Sequence, residues 1–281
     1  MRLQYVRENP RMKEEYVSAE EYPTYFPKLN NLRRTIVNDL PIEVNTRILD
    51  LGTGYGFFVL ELAQRESSLE IVGIDISPSD ILQARKNLEG YDLADRVKFI
   101  EMDATDMRFP NGSFDMIVNI LGLEDIHMTR GKTGVKNTFL EANRVLRPGG
   151  LICFVAMPPD EMETEAQKTE VAVYSYICGA TWLDTGEYQE MLSRARLKLI
   201  GTRSYYTGKK ISPEHAEIEI RFACENVPRI YGINALPFEG TWREFGKHIQ
   251  RHGMGHYSKV VLFVAEKASE PHDHGESNVT S

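Results

Sequence analysis

Cysteine is scarce in this 281-residue chain, and the three present, Cys153, Cys178 and Cys224, form an odd set without metal-ligand spacing. A disulfide framework and a thiolate metal site are both disfavoured, and reduced, mostly buried thiols are expected. Long apolar runs are missing as well, none approaching the ~18 residues of a membrane span. The start, Met1-Arg2-Leu3-Gln4-Tyr5-Val6-Arg7-Glu8, lacks the apolar stretch of a signal peptide, so a cytoplasmic location is expected. An excess of basic charge is absent too. With 33 Lys and Arg against 41 Asp and Glu the net charge is −8, which disfavours a nucleic-acid partner, because a phosphate backbone is bound through clustered cations. Arg2, Arg7, Arg11 and Lys13 are followed at once by Glu14, Glu15, Glu20 and Glu21, the pattern of a solvated mixed-charge face. No internal repeat or heptad series is visible. At 42% apolar and 26% charged residues, composition and length fit one domain with appendages.

The chain does carry a glycine turn, Ile48-Leu49-Asp50-Leu51-Gly52-Thr53-Gly54-Tyr55-Gly56. An apolar strand ends in an acid, and glycines at 52, 54 and 56 remove every second Cβ where the strand reverses into a helix. The backbone can then bend tightly and approach a nucleoside-like ligand. The dinucleotide fingerprint requires a third glycine or alanine three residues after the second, yet position 57 is Phe, so the spacing is G-x-G-x-G. That difference argues against a nicotinamide or flavin pyrophosphate. Further strand-like segments end in acids: Ile71-Val72-Gly73-Ile74 in Asp75, about 20 residues beyond the turn where an acid can hold ribose hydroxyls, and Val97-Lys98-Phe99-Ile100 just before Asp103-Ala104. Phe114-Asp115-Met116-Ile117-Val118-Asn119 reads as a fourth strand, and Arg144-Val145-Leu146-Arg147-Pro148-Gly149-Gly150 as a helix-to-strand turn.

Taken in order over residues 47–155, these segments resemble the class I S-adenosylmethionine (SAM) methyltransferases, nearest the ubiquinone/menaquinone-type small-molecule enzymes. The resemblance implies a doubly wound α/β fold, a Rossmann-like, mostly parallel sheet of seven strands with the last antiparallel. It implies SAM as cofactor. Gly52, Thr53, Gly54 and Gly56 would lie along the methionine portion with Asp50 beneath its ammonium, Asp75 and Ile76 at the ribose, and Asp103 and Ala104 at the adenine. Asn119 would face the reacting centre. The protein would then align a small-molecule acceptor in line with the methyl group and exclude water.

Strands are predicted at 47–51, 70–75, 96–101, 114–120, 150–156, 197–206 and 259–266, separated in the first half by helix-length segments as in βαβ units. Ser77-Pro78-Ser79-Asp80 predicts a helix start with Ile81, Ala84 and Leu88 on its buried stripe, and Ser212-Pro213 another with Ala216, Ile220, Ala223 and Val227. Helices are also expected at 165–178, ended by Gly179, and at 187–195. Domain expectations follow: a helical N-terminal cap over 1–46, a SAM-binding core over 47–207, an insertion over 208–256 serving as lid or oligomerisation element, a last core strand over 257–267, and a polar tail over 268–281 that cannot order itself. The oligomeric state stays open, a homodimer included.

Beyond Asn119 the sequence runs Leu121-Gly122-Leu123-Glu124-Asp125-Ile126-His127, read as a loop beside the acceptor. His127 is the candidate general base, since an imidazole titrates near neutral pH. The acidic pair Glu124-Asp125 could attract an amine or orient an imidazole. His248, His252 and His256 recur every fourth residue, a helical spacing able to hold a metal, but Gly253 and Gly255 interrupt that helix, no acid or cysteine completes the set and no metal is expected. A protein or tRNA methyltransferase is the alternative within the same cofactor class. An NAD-dependent oxidoreductase and a non-catalytic SAM-binding protein are the alternatives outside it.

Overall fold

A computed structural model of the chain describes residues 14–18, 20–22, 29–179 and 182–269. Arg2, Tyr5, Arg7, Arg11, Lys13, Tyr25, Phe26 and the tail from 270 onward lie outside the described residues. The elements run β1 (Glu15–Tyr16), α1 (Asn30–Asp39), β2 (Arg47–Leu51), α2 (Phe57–Arg65), β3 (Glu70–Asp75), α3 (Pro78–Asn87), β4 (Val97–Glu101), β5 (Phe114–Ile120), α4 (Leu123–Val145), β6 (Leu146–Ala156), α5 (Glu165–Cys178), α6 (Thr185–Arg194), β7 (Leu197–Tyr206), β8 (Lys209–Ile211), α7 (Pro213–Tyr231), α8 (Phe238–His252), β9 (Met254–Gly255) and β10 (Lys259–Lys267).

Seven of the strands form one sheet in the order β4-β3-β2-β5-β6-β10-β7. β10 is antiparallel to both neighbours, and the other pairings are parallel. The strand order reverses beside β2, whose carboxyl end therefore opens into a crevice, the place where open α/β sheets bind ligands. Alternation along each strand sorts the core into two layers. Ile48, Ile71, Phe99, Val118 and Val155 face α1 and α2, whereas Leu49, Val72, Ile117, Phe154 and Phe263 face α4 and α6. α3 begins as its sequence requires: Ser77 Oγ accepts from the Asp80 amide with Pro78 in the first turn, and Ile81 and Ala84 are buried. α5 is closed at Gly179, which adopts the left-handed conformation.

The remaining elements build a cover. Residues 209–255 supply β8, α7, α8 and β9, and Ala216, Ile220 and Ala223 of α7 pack with Ile249 of α8 and with Val173 and Ile177 of α5 around a separate apolar cluster. On its outer side α7 leaves Ile218 and Phe222 exposed.

Four local expectations are corrected. The described part of 1–46 is not purely helical: Glu15 and Tyr16 form a parallel strand against Lys209 and Lys210, joining the start of the described chain to the cover. Two residues carry no period, so no sequence signal marks them. β6 starts at Leu146 rather than 150, because Leu146 pairs with Phe114 before an irregularity resets the register. The segment after β5 is not a loop, since α4 starts at Leu123 with Gly122 as its N-cap and continues past a kink at Gly131. The three histidines do not share one helix face: α8 stops at His252, Gly253 turns the chain at φ 75°, and His256 is buried beyond β9. Among the described residues no group of three or more His, Cys, Asp or Glu side chains is placed to hold a metal ion.

Candidate active site

The glycine turn takes the form its sequence demands. Gly52, Gly54 and Gly56 sit at φ 63°, 49° and 75°, the left-handed region that favours glycine. A Cβ at Gly56 would lie 2.9 Å from the Phe99 ring, whereas one at Gly54 would meet nothing within 4 Å. The turn is thus packed at its base and open at its crest.

Asp75, at the tip of β3, holds this crest in place. Its Oδ2 accepts from the Gly54 amide and its Oδ1 from the Ser77 amide, each at 2.9 Å. Burial raises the Asp75 carboxyl above its ordinary range against the pull of these two amides. Asp50 lies below the turn with Oδ2 buried and without a hydrogen-bond partner, and Thr53 Oγ1 is buried in the same condition. Burial pushes the Asp50 carboxyl up to about 7, with the adjacent Thr53 hydroxyl pulling the other way and the nearby Asp75 charge adding to the rise. An orphaned carboxylate oxygen under an open glycine crest suits a cationic ligand group, because a buried anion without a partner is costly.

At the next strand tip, Met102 donates its amide to the Asp75 carbonyl, so the ends of β3 and β4 are adjacent. Asp103 accepts from the Thr105 amide and hydroxyl at 2.8 and 2.7 Å and pairs with Arg130 at 3.2 Å. Partial burial works the other way, but these hydrogen bonds hold Asp103 below the usual carboxylate range. Ala104 is buried beside it, and Ile76 leaves an apolar side chain 54% exposed at the tip of β3. From α1, missed in the sequence because it sits in an apolar helical stripe, Arg33 lays a buried guanidinium 5.2 Å from the Phe57 ring centroid at the start of α2.

Asn119 is placed otherwise than expected. Its side chain is fully buried, with Nδ2 donating to the Leu51 carbonyl at 2.7 Å and Oδ1 accepting from the Gly122 amide at 3.3 Å. The β2–β5 ladder ends at Asp50 and Val118, so Asn119 satisfies a carbonyl that the sheet no longer serves. It anchors the crevice instead of facing it. Next to it Leu121 adopts φ 54°, a conformation rare for a branched side chain and found at sites held by their surroundings.

The turn after β5 abuts the glycine turn: a Cβ on Gly52 would come within 3.8 Å of Gly122 Cα. From there the first turn of α4 projects Glu124 and Asp125. Burial raises both carboxyls, Asp125 to about 7 and Glu124 well above its ordinary value with the Asp125 charge adding to the effect. Tyr231, at the end of α7, stands by Asp125. His127 lies a helical turn beyond Glu124, beside Glu187 of α6. Trp182, Tyr231 and Tyr257 come from segments with no periodic or spacing signal that would have brought them together.

Comparison with known proteins identifies the family and the fold. Residues 42–196, more than half of the chain, match the family model described as "Methyltransferase domain". The demethylmenaquinone methyltransferase of Thermus thermophilus is 36% identical over 122 residues, which span 43% of this chain and about half, 52%, of that protein. The 27-O-demethylrifamycin SV methyltransferase of Amycolatopsis mediterranei is 28% identical over 254 residues, covering 88% of this chain and 87% of its own. Among solved structures, the YcgJ protein of Bacillus subtilis aligns with a TM-score of 0.60 at 15% identity, over 85% of this chain and 99% of that one. A geranyl diphosphate methyltransferase in complex with SAM aligns at 0.56 and 16% identity, over 89% and 92%. At such identities the structural likeness shows the fold alone. Among the described residues no helix is long and apolar enough to cross a membrane. With more than half of its length matched, the chain belongs to the methyltransferase-domain family, and its seven-stranded sheet has the fold of the class I, SAM-dependent methyltransferases.

Proposed function

We propose that this enzyme transfers the methyl group to a small-molecule acceptor lodged between the start of α4 and the cover made by α5, α7 and α8. The observation that carries the cofactor placement is the unpartnered Asp50 oxygen beneath the open crest at Gly54. Asp50 would face the cofactor's ammonium, and Arg33, beside the positive end of α2, would face its carboxylate. Gly52, Thr53, Gly54 and Gly56 line the methionine portion, Asp75 and Ile76 the ribose, and Asp103 and Ala104 the adenine, while Asn119 acts one layer back by fixing Leu51 and Gly122. The bound SAM supplies an electrophilic methyl group, so the protein's own task is alignment of the acceptor in line and exclusion of water. In this scheme residues 47–207 with the last strand form the core, and 208–256 act as the lid. The quinone-type and rifamycin-type names of the relatives support a small acceptor.

Calorimetric titration with SAM, S-adenosylhomocysteine and NAD tests the cofactor placement. The two adenosyl compounds are expected to bind and NAD is not. Asp75→Ala should weaken adenosyl binding by about 1–3 kcal/mol, since both the ribose contact and the brace on Gly54 go with the carboxylate. Unchanged affinity would remove Asp75 from the site.

A further inference from the structure

At the first turn of α4 two buried polar atoms of opposite character stand side by side. Glu124 Oε2, an acceptor, and Trp182 Nε1, a donor, are both shut off from solvent and have no hydrogen-bond partner in the protein. The indole N–H lies next to the Glu124 carboxyl and draws it toward its ionised form, without meeting full hydrogen-bond geometry on Oε2. Buried polar groups are nearly always satisfied, so an unpaired donor beside an unpaired acceptor marks a place completed by a third group. The place is the expected one for an acceptor, because Gly122, two residues before Glu124, packs on Gly52 of the glycine turn. Glu124 is faced by Asp125 from its own helix, Tyr188 from α6, Tyr231 from α7 and Tyr257 from the segment before β10.

Few groups complement both atoms. An ammonium donates to the carboxyl but offers nothing to the indole N–H. A carbonyl or thioether accepts from the indole but gives nothing to a carboxylate. A hydroxyl does both, its proton directed to Glu124 and a lone pair to Trp182.

Resting on the cofactor placement above, we propose that Glu124 and Trp182 hold the reacting oxygen of an acidic hydroxyl, a phenol or enol, and that the product is a methyl ether. The proton passes from the hydroxyl oxygen to Glu124 Oε2. The oxygen's electron pair forms the new bond to the methyl carbon, and the pair of the broken carbon–sulfur bond stays on sulfur as its positive charge is lost. The Trp182 N–H steadies the oxygen while it carries negative charge. Burial of Glu124 raises its carboxyl toward the strength a proton acceptor for such a hydroxyl needs. The general-base role thereby falls to Glu124 and not to His127, which stands a helical turn farther from the glycine turn.

The test uses the full chain saturated with S-adenosylhomocysteine and 4-nitrophenol as probe, whose ionised form is coloured. Wild type is expected to bind the probe saturably and to raise its phenolate absorbance at a pH below the probe's own ionisation. Glu124→Gln should keep S-adenosylhomocysteine affinity within about twofold and lose the phenolate signal, and Trp182→Phe should weaken probe binding about tenfold. Retained cofactor affinity in each variant shows that it is folded. A phenolate signal that persists in Glu124→Gln, no saturable probe binding to wild type, or tighter binding of 4-nitrobenzylamine than of 4-nitrophenol would overturn the proposal. Failure of wild type to bind S-adenosylhomocysteine, read before any probe is added, would instead overturn the cofactor placement and the proposal with it.

Discussion

The two sides of the crevice are built in opposite ways. The proposed cofactor side is made largely of backbone: a glycine turn and two strand tips, with Asp75 and Asp103 each accepting from main-chain amides. The proposed acceptor side is made of side chains from α4, the segment before α6, the end of α7 and the segment before β10, brought together by packing alone. Backbone geometry is set locally and tolerates little variation, while a side-chain wall can be rebuilt without touching the sheet. On the proposed placement, a family keeps one cofactor and changes its acceptor by altering residues such as Glu124, Trp182 and Tyr231.

The largest effect that would test this division is on the cover. Ile220→Ala removes a fully buried side chain from the α5–α7–α8 cluster and should cost about 3 kcal/mol. Hydrogen exchange should quicken across 165–255 while β2, β3 and β5 keep their protection and S-adenosylhomocysteine still binds. Equal loss of protection in the sheet would show that the two sides are one cooperative unit. On the cofactor side, Gly56→Ala places a Cβ 2.9 Å from Phe99 at φ 75° and should lower stability by ~1–3 kcal/mol in urea denaturation. Gly54→Ala, open above, should cost less stability and more cofactor affinity. The reverse order would place the ligand away from the crest.

A smaller effect is expected from pH. The Asp50 carboxyl is raised from 3.8 to about 7, so the folded protein retains a proton that the unfolded chain releases. This contribution to stability is present below about 4 and is lost as pH rises through about 7. Asp50→Asn should flatten that part of the urea-midpoint profile, with Asp125, also near 7, keeping its own share. A cationic ligand favours the carboxylate, so cofactor binding near pH 6.5 should release a proton, seen as a buffer-dependent calorimetric heat in wild type and reduced in Asp50→Asn. Buffer-independent heats would detach Asp50 from the ligand. Smallest of all, His127→Ala should leave kcat within about twofold, and a tenfold loss would return the proton-accepting role to the imidazole.

The middle of the sheet was legible because its central strands are buried on both faces. Runs such as Ile71-Val72-Gly73-Ile74 end abruptly at an acid or glycine, so β2, β3, β5 and β7 fall at the residues expected. Capping chemistry was equally readable at Ser77, Gly179 and Ser212. The glycine turn and the strand tips that carry Asp75 and Asp103 were readable for the same reason, being local. Asn119 was misplaced because strand alternation tells which face a residue occupies, and not that a neighbouring carbonyl at Leu51 lacks a partner. The start of α4 had a signal that went unused: Glu124 and Asp125 are the acids that a helix N-terminus favours. Trp182, Tyr231 and Tyr257 share no pattern, and only the tertiary fold joins them.

The early segment that carries β1 and Tyr22 has a consequence for the order in which the chain assembles. Tyr22 stacks on His215 with ring centroids 3.9 Å apart and donates to Glu219 at 2.6 Å, a partner 197 residues later. At ~5–20 residues per second of ribosomal elongation, that partner emerges roughly 10–40 s after Tyr22 does. Strands β2 to β5 are complete well before then, so the glycine turn and its flanking strand tips can form on the nascent chain while the early segment still waits for the piece that clasps it.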